Sequence, residues 1–164
     1  MKIKSVLLSL FLLSSMIISG CSSDTDSSHK DEQHDDQAAQ LGDIREETES
    51  IEDLPAFLAK FPEEMSVIYT AAAENQELLE SMPCYCGCGD SVGHKDNYDC
   101  FVFDNKKDGS LVWDDHGTKC NVCLEIAAKS IKEYQDGKSI KEIRTMIDEQ
   151  YKEGYANPTP TPEV

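Results

Sequence analysis

Basic residues are scarce in this chain. Fifteen lysines and arginines face 32 aspartates and glutamates, a formal net charge of −17. That sign excludes electrostatic capture of nucleic acid and direct docking on anionic lipid, which both call for cationic surface. Aromatic residues make up only 7% of the sequence and apolar residues 39%, so any core is thin, and small extracytoplasmic domains offset a thin core with disulfides or a metal. The one long apolar run, Ser5 to Ile18, is too short to span a membrane as a mature helix. Familiar catalytic signatures are missing: there is no Gly-rich phosphate loop, no His-Glu-x-x-His and no Gly-x-Ser-x-Gly. Asp114-Asp115 are acidic neighbours without a visible acid/base partner. The reading is therefore binding rather than turnover, with enzymatic activity left open.

The N-terminus carries an address. Met1-Lys2-Ile3-Lys4 is a basic n-region, Ser5 to Ile18 an apolar stretch, and Ile18-Ser19-Gly20-Cys21 resembles the lipobox of bacterial lipoproteins. That resemblance implies cleavage after Gly20 and a lipid on Cys21, hence a location at the cell membrane, anchored on the extracytoplasmic face. An ordinary secretory signal before a chance cysteine is the alternative, and it too exports the chain. Residues 1–20 are therefore set aside from fold reasoning. Residues 21–53 are expected to be a disordered acidic tether: Ser22 to Ser50 holds ten acids and two bases with almost nothing apolar. Some thirty flexible residues would reach ~30 Å. His29 and His34 within it read as solvated linker residues rather than a metal-collecting arm.

Residues 54–155 form the expected domain, mainly α, a small helical bundle with a cysteine-rich irregular segment and one short hairpin. Residues 156–164, rich in Pro and Thr, are expected to be a disordered tail. Leu54 to Leu58 suggests a short helical turn; Pro62 opens a longer helix near Glu63, which Pro83 stops. Met65, Ile68, Ala72, Leu79 and Met82 fall on one face of it. A third helix runs from near Cys120 to Asp136-Gly137 with Cys123, Ile126, Ala127, Ile131 and Tyr134 as its inner stripe. Ser139-Ile140-Lys141-Glu142 is a capping-box pattern opening a last helix with Ile140, Ile143, Ile147 and Tyr151 inward and Gly154 at its C′ position. Between Cys88 and Cys120, Phe101-Val102-Phe103 and Leu111-Val112-Trp113 pair as a hairpin across Asn105 to Gly109. Asp104, Asp108 and Asp115 loosely imitate a calcium loop, but Lys106 occupies a ligand position, so an Asp/Gly turn is the better account.

The densest chemistry is Pro83-Cys84-Tyr85-Cys86-Gly87-Cys88, followed by His94, Cys100, His116 and the pair Cys120/Cys123. Thiolates are soft metal ligands and nucleophiles, and three within five residues are hard to explain by packing. The run Pro83 to Cys88 resembles, letter for letter, the signature of the bacterial PCYCGC-motif lipoproteins. The resemblance covers roughly Phe61 to Tyr151 and supports grouping these cysteines in one domain. Cys120-Asn-Val-Cys123 with Gly137-Lys138-Ser139, Glu142-Ile143 and Tyr151 is similar to the three-helix domain of cytochrome c maturation thiol reductases, which implies a redox use of that pair.

Three chemistries compete for the six cysteines. Three disulfides suit the even count and an oxidising compartment, but neighbours in Cys-x-Cys-x-Cys are poorly placed to bridge one another. A thiol–disulfide oxidoreductase would use Cys120 and Cys123, whose position at a helix start favours the thiolate. A soft-metal site is the preferred reading, with Cys84, Cys86, Cys88, Cys120 and Cys123 as ligands, His116 and Cys100 as further ligands, and His94 as a weaker one. More donors are present than one tetrahedral zinc takes, which points to a second metal or a small thiolate cluster. Copper as Cu(I) is the first choice and zinc the second. The expected role is metal binding, storage or delivery, with a metal-receiving or redox protein as partner.

Overall fold

The computed structural model describes residues 42–164. Among them are five α-helices and a three-stranded antiparallel sheet of order β1-β3-β2. Strand β1 is Arg45–Thr48, β2 is Val102–Asn105 and β3 is Leu111–Asp114. The helices are α1 (Glu63–Glu74), α2 (Gln76–Glu80), the single turn α3 (Cys88–Ser91), α4 (Asn121–Gln135) and α5 (Ile140–Gln150). The mainly α expectation therefore becomes a mixed architecture, with the helices packed beside a small sheet.

Pro62 and Pro83 bracket a helical stretch that breaks once, at Asn75, between α1 and α2. Ala72, Leu79 and Met82 are buried as expected, whereas Met65 and Ile68 are half-buried and Tyr69 takes the central position. Tyr69 meets Phe57, Phe101 and Trp113 at ring-centroid separations of 5.8, 5.1 and 6.2 Å. Aromatic pairs of this kind contribute about 0.5–1.5 kcal/mol each beyond their buried area, so the few aromatic residues are concentrated where they count. Ser139 caps α5 in a complete capping box with Glu142. Helix α4 ends in a Schellman turn: Gly137 has φ 92°, its N–H donates to Tyr134 O, and the Lys138 N–H donates to Glu133 O. Its stripe buries Cys123, Ile126, Ala127 and Ile131, but Tyr134 is exposed. Gly154 lies beyond the C-cap Tyr151 of α5 and is not its C′ residue.

The expected hairpin is present, pairing Val102 with Trp113 and Asn105 with Leu111, with an irregularity at Phe103. Its turn is closed by Asp108, which accepts from the Ser110 N–H and hydroxyl, as an Asp/Gly turn does. The third strand was not anticipated. Residues 45–48, assigned to the tether, pair with β3 from Arg45↔Asp114 to Thr48↔Leu111. The Trp113 indole N–H donates to Thr48 Oγ1 at 2.8 Å, and Glu46 accepts from the Ala56 N–H at the start of the 3-10 turn Ala56–Lys60. The fold therefore includes residues 45–48, ahead of the expected domain start at residue 54. The tail differs too. Ala156 N–H donates to Tyr85 O and Thr159 N–H to Cys84 O, while the Arg144 guanidinium donates to Thr161 Oγ1. Residues 156–162 are thus strapped along the cysteine segment instead of hanging free. The signal segment, Cys21, His29 and His34 lie outside the described residues.

Candidate metal centre

Four stretches of chain deliver the donors. Pro83 ends the helical stretch, and the irregular run to Gly87 presents Cys84 and Cys86 on one side, their sulfurs 3.2 Å apart. Gly87, at φ 89°, is the N-cap of α3, and this left-handed turn brings Cys88 round to the same centre. His94 follows in the next loop, and Cys100 closes the 3-10 turn Tyr98–Cys100. His116 sits in the 3-10 turn Asp115–Lys119 that leaves β3. Cys120 is the N-cap of α4, its sulfur accepting from the Cys123 N–H at 3.3 Å.

The six cysteines among the described residues are free thiols, and their sulfurs converge. Cys123 is the hub: its Sγ lies 3.3 Å from Cys84, 3.5 Å from Cys86, 3.3 Å from Cys100 and 2.8 Å from Cys120. Cys84 and Cys100 sulfurs are 3.9 Å apart, and Cys88 lies within 4.8 Å of Cys84 and Cys86. With one sulfur touching four others, no unique set of disulfide pairs suggests itself. His116 Nε2 stands 3.8 Å from Cys86 Sγ, and His94 Nδ1 3.6 Å from Cys100 Sγ. Every donor predicted from the sequence, His94 included, thus belongs to one cluster.

Each imidazole is backed by a carboxylate on its far nitrogen. His116 Nδ1 is 3.0 Å from Asp43 Oδ2. His94 Nε2 faces Asp114 Oδ2 at 3.7 Å and Asp43 Oδ2 at 3.8 Å, an ion pair beyond hydrogen-bonding reach. Asp114 is itself held by the Arg45 Nε–H at 3.0 Å and the His116 backbone N–H at 2.9 Å. An acid behind an imidazole fixes the ring and raises the basicity of the nitrogen that meets a metal. Neither acid was recognised from sequence. Asp114 was visible without its partner, and Asp43 lies 73 residues from His116 in a stretch where acids are too common to single one out.

The electrostatics fit a site built for a cation. Among the described residues the hydrogen-bonding partners of the sulfurs are one another, the two imidazoles and backbone groups. Six thiolates in so dry a place, with no ammonium or guanidinium against them, would be costly. The metal-free cluster shares its protons: Cys100 is held well below the usual thiol range by Cys123 and Cys84, while Cys123 is pushed up by Cys100 and Cys120. Burial pulls the His94 pKa down, but Asp114 and Cys100 outweigh it and raise it to about 10.

Packing sets these positions tightly. Asn97, fully buried, donates from its backbone to Met82 O and from its side chain to Cys123 O. Cys84 N–H donates to Thr159 Oγ1 at 2.9 Å. A Cβ on Gly117 would lie 2.7 Å from the Phe101 ring and 2.9 Å from the Tyr69 hydroxyl, so only glycine lets the turn bearing His116 pass that close.

Fold and cluster together define a small α+β domain organised around a buried thiol–imidazole centre. A family described as protein of unknown function with PCYCGC motif matches residues 10–164, and the chain belongs to that family. No curated protein and no solved structure matches the chain.

Proposed function

We propose that this is an extracytoplasmic, membrane-anchored protein that binds a soft metal ion, Cu(I) first and zinc second, for storage or delivery. The observation that carries the reading is the convergence of six thiols and two imidazoles, each imidazole backed by a carboxylate. Thiolate-rich, nearly dry donor sets select soft ions, and the cation would supply the charge that the sulfurs lack. The lipobox-like Ile18-Ser19-Gly20-Cys21 supports anchoring by a lipid on Cys21. A metal-receiving protein is the natural partner for a storage or delivery role.

The test is anaerobic purification followed by metal analysis and thiol counting. Copper or zinc should co-purify, with its stoichiometry reduced in Cys86→Ser and Cys123→Ser; three disulfides and no metal would refute the reading. Cys21→Ser should move the protein from the membrane to the soluble fraction. One observation favours a second reading, thiol–disulfide exchange: Cys120 and Cys123 make the shortest sulfur contact, at a helix start with Cys120 half-exposed. A redox couple confined to that pair in metal-free protein would support it.

A further inference from the structure

The cluster divides unevenly between the interior and the surface. Two sets of four donors lie mutually within 4.8 Å: Cys86, His116, Cys120 and Cys123, and Cys88, His94, Cys100 and His116. His116 belongs to both, yet its Nδ1 is engaged by Asp43, so only Nε2 is free and it can serve one ion. That nitrogen points at Cys86, which assigns His116 to the first set. Cys84 then completes the second, since its sulfur lies 3.9 Å from Cys100 and within 4.8 Å of Cys88. Each set becomes three sulfurs and one imidazole, a donor combination that closed four-coordinate sites use. Contacts of 3.3 Å from Cys123 to both Cys84 and Cys100 join the two sets, so a thiolate can bridge them.

Burial separates them. Cys84 and Cys100 are 0% exposed, Cys88 1% and His94 3%. In the other set Cys86, His116 and Cys120 are all half-buried, and only Cys123 is sealed. The tail strap lies over the buried set: Thr159 holds both backbone groups of Cys84, and a Cβ on Gly89 would come within 2.8 Å of the Thr159 methyl. Among the described residues no comparable strap covers Cys120, which is half-buried.

We propose that the centre holds two metal ions: an inner one on Cys84, Cys88, Cys100 and His94 that is retained, and an outer one on Cys86, His116, Cys120 and Cys123 that exchanges with a partner. This rests on the soft-metal reading. An incoming thiolate reaches the outer ion at the half-exposed Cys120 edge and replaces protein sulfurs stepwise, with no change of oxidation state. The inner ion has no such edge and leaves only when the strap or the core opens.

The experiment loads the full chain anaerobically with Zn(II), counts bound zinc, and follows its transfer to excess chromophoric chelator. Two zinc ions per chain are expected, leaving in two phases with rates at least about tenfold apart, the ratio a barrier difference of about 1.4 kcal/mol gives. Cys120→Ser, which keeps a good N-cap for α4, should bind one ion and lose only the fast phase. One ion in the wild type, a single phase, or loss of the slow phase in Cys120→Ser would overturn the two-site assignment while leaving metal binding intact. Failure to bind either Zn(II) or Cu(I) would overturn both readings.

Discussion

Asp43 offers the sharpest test of how the centre is supported. Its Oδ2 sits 3.0 Å from His116 Nδ1, and its side chain is only 7% exposed. Asp43→Asn leaves an amide oxygen able to accept from Nδ1–H but removes the charge. A hydrogen bond to a charged group contributes about 1.5–3 kcal/mol against about 1 for a neutral one. The difference, about 0.5–2 kcal/mol, corresponds to roughly 2–30-fold in affinity. Asp43→Ala removes the oxygen as well, and loss of an outer acid behind a ligating imidazole weakens metal binding by about 10–100-fold. The expected order is therefore wild type, then Asn, then Ala, read as Cu(I) or Zn(II) affinity in anaerobic competition with a chromophoric chelator. Asp108→Asn, in the exposed hairpin turn, is the control and should match the wild type. If Asp43→Ala binds metal as tightly as the wild type while His116→Ala does not, the carboxylate does not support the imidazole and the argument fails.

Three further outcomes are expected. Gly117→Ala should lower stability by about 1–3 kcal/mol, because its methyl would overlap Phe101 and Tyr69; thermal unfolding checks this, and an unchanged midpoint would count against the close packing described. Ser139→Ala should cost about 1 kcal/mol through loss of the α5 capping box, with no effect on metal stoichiometry. Metal affinity should rise with pH, since thiols and imidazoles must shed protons to ligate; affinity that stays flat from about pH 5 to about pH 8 would contradict ligation by these groups. In the metal-free protein, burial lowers the two imidazole pKa values, but Asp114 and Cys100 raise His94 to about 10, and Cys120 and Cys86 raise His116 to about 11. Both folded values exceed the ordinary 6.5, so their contribution to stability is complete below that pH and disappears as pH climbs through 10 to 11. An alkaline melt of metal-free protein that is sharper than that of His94→Gln is the corresponding measurement.

Local patterns determine much of this protein without any tertiary contact. The prolines at 62 and 83, the Ser139–Glu142 capping box and the apolar periodicity of α4 and α5 specify helices through interactions within a few residues, so a one-dimensional reading finds them. The same holds for the donors, because cysteine density is a property of the string itself. What the sequence could not decide depends on partners far along the chain. Strand β1 is polar and lacks an apolar alternation, and it exists because β3 offers an edge to pair with. The tail has no periodicity, and its order comes from backbone groups of Cys84 and Tyr85 and from Arg144. Asp43 and Asp114 acquire a role only when folding brings them, from 73 and 20 positions away in the chain, onto His116 and His94. The residues of the centre could thus be named from sequence, while its acids, its strap and its division into buried and accessible halves arise from long-range packing alone.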